Sequence, residues 1–560
     1  MSGETPIPWI EGLTIGQVLL RTARAYPDRD ALVFPGLGVR FTFADFLAEV
    51  DRAARGLVAL GIRRGEHVAI WATNVPEWVI LQFATARIGA VLVTINPAYR
   101  PFELEYVLRQ SDAVALFLVD RFKSSDYFAM LAEVCPELAT FEGGSPGGSL
   151  PSDRFPKLRS VVALKGETPR GAISWESMLN GADAATDLVA LGEQLFPTDP
   201  INIQYTSGTT GFPKAATLSH RNLLYNAFYV GACQRLSERD RICIPVPFYH
   251  CFGCVLANMC SIVYGSAMIA PAESFDPGAT LAAIEKERAT VLYGVPTMFI
   301  AQLQHESFAG RDLSSLRTGI MSGSPCPIEV MRQVVDRMGA REITIAYGQT
   351  EASPVITQTR FDDPMELRVE TVGRPLPGVE VKLIDAADGR ALGDNEQGEL
   401  CARGHVVMLG YYNNPEATAK AIDAEGWLHT GDLAVRQSNG YYRITGRIKD
   451  MVIRGGENIY PREIEEFLFT HPAVEQASVV GVPDPKYVEE LCAWIKLKAG
   501  AGLSESEVRD FCRGKLAHYK VPRYVRFVEV FPQTVTGKIQ KFKIRETMIA
   551  ELGLTQAETA

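Results

Sequence analysis

The first 350 residues alternate short apolar runs with amphipathic stretches, and that alternation leaves few architectures open. Residues 67–72 (His-Val-Ala-Ile-Trp-Ala) read as a buried strand, 77–86 as a helix and 91–94 as the next strand. Runs at 113–119, 160–164, 201–205, 267–270, 290–293 and 343–347 repeat the pattern, with helical stretches such as 277–288 between many of them. Strands separated by helices form parallel sheets covered on both faces. The runs are too many for one comfortable sheet, so two are expected. The 560 residues also exceed one core, since cores stop growing near ~250–300 residues.

From about 371 to 447 the pattern changes. Gly, Pro and Asn become frequent and helices fade, with strands at 379–384 and 440–445 that suit a small antiparallel sheet or barrel. After Asp450 a compact α+β stretch follows, with helices near 461–470 and 505–515. The fold class expected is α/β: a large N-terminal domain (1–448) of two helix-covered, doubly wound sheets with a small β-barrel at 371–448, then a small α+β domain over 449–560. Residues 142–153 are rich in Gly, Ser and Pro and read as a surface loop.

Composition removes several function classes. Apolar residues at 47% and charged residues at 22% describe a globular chain. The net charge is −10, and the stretch from Lys449 onward is neutral, with 16 Lys+Arg and 16 Asp+Glu. No basic face is offered to nucleic acid. Ten cysteines, most in apolar surroundings, read as buried reduced thiols and a reducing compartment. Cys251 and Cys254 have redox or zinc spacing, but no second pair follows at a usable distance. Residues 242–272 carry no Asp, Glu, Lys or Arg, yet Pro245, Pro247, Gly253, Asn258, Gly265 and Pro271 break the run. It reads as strand, loop, helix and strand rather than a transmembrane segment. The first ten residues form neither a signal peptide nor an Arg-rich leader. A cytoplasmic protein is expected, and a homodimer is left open.

The densest chemistry lies in Tyr205-Thr206-Ser207-Gly208-Thr209-Thr210-Gly211-Phe212-Pro213-Lys214, directly after an expected strand. Glycines admit backbone N–H groups close to an anion, and hydroxyls and an ammonium add donors and charge. Such a loop suits a polyphosphate. It is not a Walker A loop, because no Gly-Lys-Ser/Thr stands at the required spacing. No G-x-G-x-x-G opens a βαβ unit, which argues against a nicotinamide enzyme.

This loop resembles the phosphate loop of the adenylate-forming superfamily, which includes acyl-CoA synthetases, peptide-synthetase adenylation domains and beetle luciferases. Five further motifs follow in that superfamily's order. Tyr347-Gly348-Gln349-Thr350-Glu351 resembles its second nucleotide motif. Trp427-Leu428-His429-Thr430-Gly431-Asp432 resembles its ribose motif, and Gly446-Arg447-Ile448-Lys449-Asp450 its hinge. Gly455-Gly456-Glu457 resembles its coenzyme-facing loop, and Thr536-Gly537-Lys538 its C-terminal lysine motif. Phrases such as 199–204, 293–299 and 537–542 are most similar to the medium-chain group that includes acyl-CoA synthetase family member two.

The resemblance implies an ATP-dependent acid–thiol ligase that makes an acyl-adenylate and passes the acyl group to coenzyme A. It implies ATP contacts from Thr206, Ser207, Gly208, Thr209, Thr210, Gly211, Lys214, Gly323, Tyr347, Asp432, Arg447 and Lys538. Glu351 offers a carboxylate for Mg²⁺, which prefers carboxylate, phosphate and water oxygens. Lys538 is the expected catalytic cation, with Glu351, Thr350 and His250 beside it. Tyr347 reads either as an adenine contact or as a core tyrosine. The expected acyl pocket uses Tyr249, His250, Gly294 and Ser324, and His250 reads equally as an acid-orienting group or a structural histidine. Lys449 is the hinge of a mobile C-terminal domain that would exchange Lys538 for Gly455, Gly456 and Glu457.

Two positions depart from the superfamily's pattern. Ala215 follows the loop lysine where glycine is usual, and Val488 stands where many relatives carry glycine. Valine at positive φ would be strained, so the turn at Val488 is expected to have adjusted. Two alternatives to the ligase stand: an acyl-AMP ligase loading a carrier protein, and an inactive nucleotide-binding scaffold. The second would be expected to have lost Lys538, Asp432 or Glu351, and all three are present.

Overall fold

The computed structural model describes residues 8–141, 150, 152–206, 213–324, 326–455, 457–534 and 537–554. A nine-stranded sheet runs from Arg374–Pro375 through Val355–Gln358, Glu342–Gly348, Thr318–Met321, Val291–Gly294, Arg241–Cys243, Ala267–Ile269 and Asp30–Phe34 to Val39–Thr42. Its interior pairings are parallel, and antiparallel strands close both ends. The eight-stranded sheet runs Gly410–Tyr411, Lys214–Ser219, Pro200–Thr206, Val91–Thr94, His67–Trp71, Ala113–Leu118, Ser160–Ala163 and Ile173–Ser174. Both expected sheets are present, and each strand anticipated in them forms within one or two residues of its expected bounds.

The helix Pro76–Ile88 explains how the two sheets share a core. It is apolar around nearly its whole circumference, and twelve of its residues are buried. A helix apolar on every side is stable only with packing on every side. One continuous apolar cluster accordingly joins residues of both sheets, including Leu32, Val68, Leu92, Ile203, Val291 and Ile320. The charge-free stretch 242–272 folds as the end of strand Arg241–Cys243, π-helix Phe252–Met259, helix Cys260–Tyr264 and strand Ala267–Ile269, with Ile242, Val255, Ile262 and Met268 in this core. No helix of the described residues is long and apolar enough to cross a membrane.

The region expected as a β-barrel is an open antiparallel sheet of Val379–Ile384, Gln397–Gly404, Leu428–Arg436 and Tyr442–Arg447. Its two edge strands do not pair with each other among the described residues, and four strands are too few to close on themselves. A five-stranded sheet follows, built on the long hairpin Val474–Asp484 and Val488–Leu497. Helices Pro461–Phe469 and Glu505–Cys512 pack on it around Val479, Leu491 and Ile495. This last part meets the preceding sheet where Tyr460 lies beside Gly446 and Arg443 pairs with Glu466 at 2.6 Å.

The turn at Val488 has not adjusted: its φ is +71°. The Asp484 carboxylate accepts the backbone N–H groups of Lys486 and Tyr487, both at 2.9 Å, which fixes a tight reversal. Val488 then pairs with both Asp484 and Arg454, so the ladder imposes the left-handed conformation on a β-branched residue. Such conformations cost about 1–3 kcal/mol. The side chain is 58% exposed and returns little packing. Val488→Gly should therefore raise stability by about 1 kcal/mol in chemical denaturation of this part of the chain. A lowered midpoint would contradict the strain.

Candidate active site

Two strands deliver side chains from their carboxyl ends, where open α/β sheets bind ligands. The strand Pro200–Thr206 ends at the phosphate-loop segment, and Lys214 opens the antiparallel partner with Thr206 opposite Lys214. Ser207, Gly208, Thr209, Thr210 and Gly211 lie outside the described residues. The strand Glu342–Gly348 leads into a short 3₁₀ turn, Thr350–Ala352, that presents Glu351. The Glu351 carboxylate accepts hydrogen bonds from Tyr411 Oη at 2.7 Å and Thr206 Oγ1 at 3.4 Å. Tyr411 also lies under the Lys214 ammonium, 5.1 Å from its ring centre. Sequence reading missed Tyr411. Its strand, Gly410–Tyr411, docks on Lys214–Ser219 from nearly two hundred residues away.

Asp432 and Arg447 are expected ATP residues, and sheet register brings them together. They sit opposite each other in the ladder of Leu428–Arg436 and Tyr442–Arg447. Arg447 Nε reaches Asp432 Oδ1 at 2.7 Å, and Tyr347 Oη donates to Oδ2 at 2.8 Å. The Asp432 charge raises the Arg447 pKa. Burial, with the Asp432 charge, holds the Tyr347 phenol far above its ordinary range, so it remains a donor. Each carboxylate oxygen still has lone-pair capacity beyond these bonds.

Lys538 joins this group from the last part of the chain. Its backbone is fixed by Thr534, with Lys538 N donating to Thr534 Oγ1 at 3.1 Å and Thr534 N donating to Lys538 O at 2.8 Å. Gly537 has φ +78°, and a Cβ there would come within 2.7 Å of Thr297 Oγ1 and 3.1 Å of Val295 Cγ2. Only glycine lets the chain pass this close. Although parts of the residue remain exposed, burial of its ammonium and the neighbouring Arg447 charge lower the Lys538 pKa. Asp432, Asp450 and Glu351 pull it the other way. One cation thus shares the field of three carboxylates drawn from three segments.

His250 stands beside that cation. Burial first, and the Lys538 charge second, push it down to about 4, so it is neutral near pH 7. Its Nδ1 accepts from Phe252 N at 3.1 Å, which leaves Nε2 to carry the proton. Cys251 Sγ lies 3.8 Å from Thr350 Oγ1, which ties the His250 turn to Glu351's segment. Gly253, second in the π-helix, lets the chain pass close to the His250 turn, since a Cβ there would meet Pro247 O at 2.4 Å. Burial raises the Tyr249 pKa, with the neighbouring Tyr99 contributing. Gly294 packs against the Phe299 ring, and Gly323 (φ +88°) against Val295, adjoining Ser324.

The residues expected to face coenzyme A lie in another segment of the chain. Gly455 N donates to Tyr487 O at 2.8 Å and Glu457 is exposed, in the hairpin of Val452–Arg454 and Glu457–Ile459; Gly456 and Thr536 lie outside the described residues. Lys449 lies in a 3₁₀ turn, Ile448–Asp450, between the two parts of the chain.

The lowered Lys538 pKa gives a signed pH dependence. If the ammonium acts in the first chemical step, that rate falls as pH rises through a value below the ordinary lysine pKa of about 10.4. Lys538→Arg keeps its charge at every working pH, so the alkaline limb should vanish from its pH profile even where its rate is reduced. An unchanged limb in the variant would assign the titration to another group.

A model described as AMP-binding enzyme matches residues 19–412, and one described as AMP-binding enzyme C-terminal domain matches 463–538. YngI of Bacillus subtilis (strain 168), an acyl-CoA synthetase by name, is 52% identical over 97% of this chain and 99% of its own. The mitochondrial medium-chain acyl-CoA ligase ACSF2 of Danio rerio is 46% identical over 97% of this chain and 90% of its own. Among solved structures, the anthranilate CoA ligase AuaEII in complex with anthranoyl-AMP superposes with a TM-score of 0.84. It is 27% identical, over 97% of this chain and 98% of that one.

Proposed function

Because the chain belongs to the AMP-binding enzymes, and within them to the acyl-CoA synthetases, we propose that it joins a medium-chain carboxylic acid to coenzyme A at the site around Asp432 and Lys538. It is an ATP-dependent acid–thiol ligase. The acid's carboxylate attacks the α-phosphate of ATP, and pyrophosphate leaves. The coenzyme A thiolate then attacks the acyl-adenylate carbonyl, and AMP leaves. The medium-chain class rests on the ACSF2 relatives.

One observation carries the placement: Glu351, Asp432, Arg447 and Lys538 share one electrostatic field although they come from distant segments. A carboxylate is ionised at neutral pH and needs no general base. The first step instead builds negative charge on phosphate oxygens, which a positioned ammonium stabilises. Lys538 takes that role, and Asp432 holds the ribose while Arg447 fixes its orientation. Glu351 fits Mg²⁺: its carboxylate accepts two hydroxyl donors and keeps further lone pairs at the mouth of the phosphate-loop hairpin. When bound, the ion supplies charge neutralisation to the phosphates. Neutral His250 orients the acid's carboxylate without competing for charge.

The division into 1–448 and 449–560, with Lys449 as hinge, belongs to the same reading. Lys538 lies in the field of Asp432 and Arg447, while Gly455 bonds to Tyr487 and Glu457 is exposed, an arrangement that suits the first half-reaction. Rotation about Lys449 would bring the 455–457 loop in for the second. All ten cysteines are free, which fits a cytoplasmic, reducing setting.

The test is AMP and pyrophosphate release across straight-chain C2 to C16 and aromatic acids, with and without coenzyme A. AMP turnover that requires both acid and coenzyme A, with an optimum in the middle of the series, is expected. Acid-dependent pyrophosphate release indifferent to coenzyme A would point to carrier loading instead. ATP binding without acid-dependent turnover across the panel would overturn the reading in favour of a scaffold.

A further inference from the structure

On the small antiparallel sheet, three residues with metal-ligating side chains converge where nothing in the reaction requires them. Glu399 and Cys401 stand two apart on Gln397–Gly404, and His429 on Leu428–Arg436 is the ladder partner of Cys401. Residues two apart share a face of a strand. The register shift between Glu399 and Cys401 gathers their side chains around the one histidine ring. His429 Nδ1 lies 3.1 Å from Glu399 Oε2 and 3.6 Å from Cys401 Sγ, and all three donor atoms fall within 4.8 Å of one another.

The two spacings from His429 Nδ1, 3.1 and 3.6 Å, are close to those of a coordination sphere. Zinc binds thiolate at about 2.3 Å and imidazole or carboxylate at about 2.0–2.2 Å, so a tetrahedral site sets neighbouring ligand atoms roughly 3.3–3.8 Å apart. The outer partners are also placed as a zinc site needs them. His429 Nε2 faces Asp423 Oδ2 at 3.5 Å, and Asp423 is fixed by the N–H groups of Glu425 and Trp427, each at 2.9 Å. A metal-bound histidine that gives its other nitrogen to a carboxylate is the usual outer-shell arrangement. Glu399 Oε1 accepts from Gly431 N–H at 3.0 Å, and Oε2 meets His429 Nδ1, a contact that a bound metal would replace with two metal–ligand bonds. Ile384 and Trp427 pack beside Cys401 and wall the thiol off. The cations nearest by, Lys382 and Arg403, are stacked on the Trp427 ring, 4.3 and 4.5 Å from its centre.

We propose that Glu399, Cys401 and His429 form a three-ligand zinc site on the small antiparallel sheet, with His429 on the same strand as Asp432. Binding replaces the thiol proton: Zn²⁺ enters, the Cys401 S–H bond breaks, a zinc–sulfur bond forms and one proton leaves to solvent. Three protein ligands leave a fourth position for water. The site is separate from Glu351, where the proposed reading puts Mg²⁺. A soft thiolate with imidazole selects zinc over a hard cation.

The test uses the full chain stripped with chelator and dialysed against zinc or cobalt, with Cys401→Ser and His429→Gln beside wild type. Bound metal is read by elemental analysis, and cobalt by its thiolate charge-transfer absorption. The expectation is one zinc per wild-type chain, a thiolate–cobalt band, loss of that band in Cys401→Ser, and at least ~10-fold weaker zinc binding in His429→Gln. If Cys401→Ser fails to fold, the His429→Gln affinity decides. No stoichiometric zinc in wild type, or equal retention in the variants, would overturn the proposal and leave a hydrogen-bonded triad only.

Discussion

The bond between Asp432 and Arg447 is the point on which the site's geometry turns. A carboxylate this enclosed is costly unless paired and hydrogen-bonded. Arg447 supplies the pairing through ladder register, and Tyr347 supplies the second bond from the nine-stranded sheet. The small sheet is therefore tied to the large one through a buried carboxylate. Arg447 is also the last residue before the turn that leads to the C-terminal part, so the same bond sets where that part begins.

The rest of the electrostatics follows from that anchor. Arg447 raises local positive potential, and Lys538 arrives in the same field with its pKa lowered by burial and by Arg447. Asp432, Asp450 and Glu351 offset this, which lets two cations and three carboxylates coexist without a deeply unfavourable charge. His250 is neutral because burial first, and the Lys538 charge second, lower its pKa. On the proposed reading a polyphosphate adds further negative charge to this group, which Lys214, Lys538 and a metal ion at Glu351 would offset.

Much of the scaffold was legible because it rests on local rules. Continuous apolar runs such as Val91–Thr94 and Ala113–Leu118 become fully buried parallel strands, and the helix expected at 77–86 forms as Pro76–Ile88. Motif order grouped Glu351, Asp432, Arg447 and Lys538 as one expected site, and in the structure they are electrostatic neighbours. What could not be read depends on distant pairing. Tyr411 reaches Glu351 only because its strand docks on Lys214–Ser219, and the barrel expected at 371–448 is an open sheet because closure is a matter of register rather than composition. At Val488 the sequence carried the signal, a valine in place of glycine, and the inference from it went the wrong way. A ladder fixed at Asp484 and Arg454 outweighs the preference of one exposed side chain.

The central claim is that the Lys538 ammonium, delivered by the C-terminal part, serves the adenylate-forming step. It is tested most directly by separating the half-reactions in Lys538→Ala. Acid-dependent exchange of labelled pyrophosphate into ATP reports the first, and thioester formation from supplied acyl-adenylate and coenzyme A reports the second. The account predicts a loss of about 10²–10³-fold in exchange, with thioester formation from the supplied adenylate within a few-fold of wild type. Equal losses in both, or exchange at the wild-type rate, would contradict it.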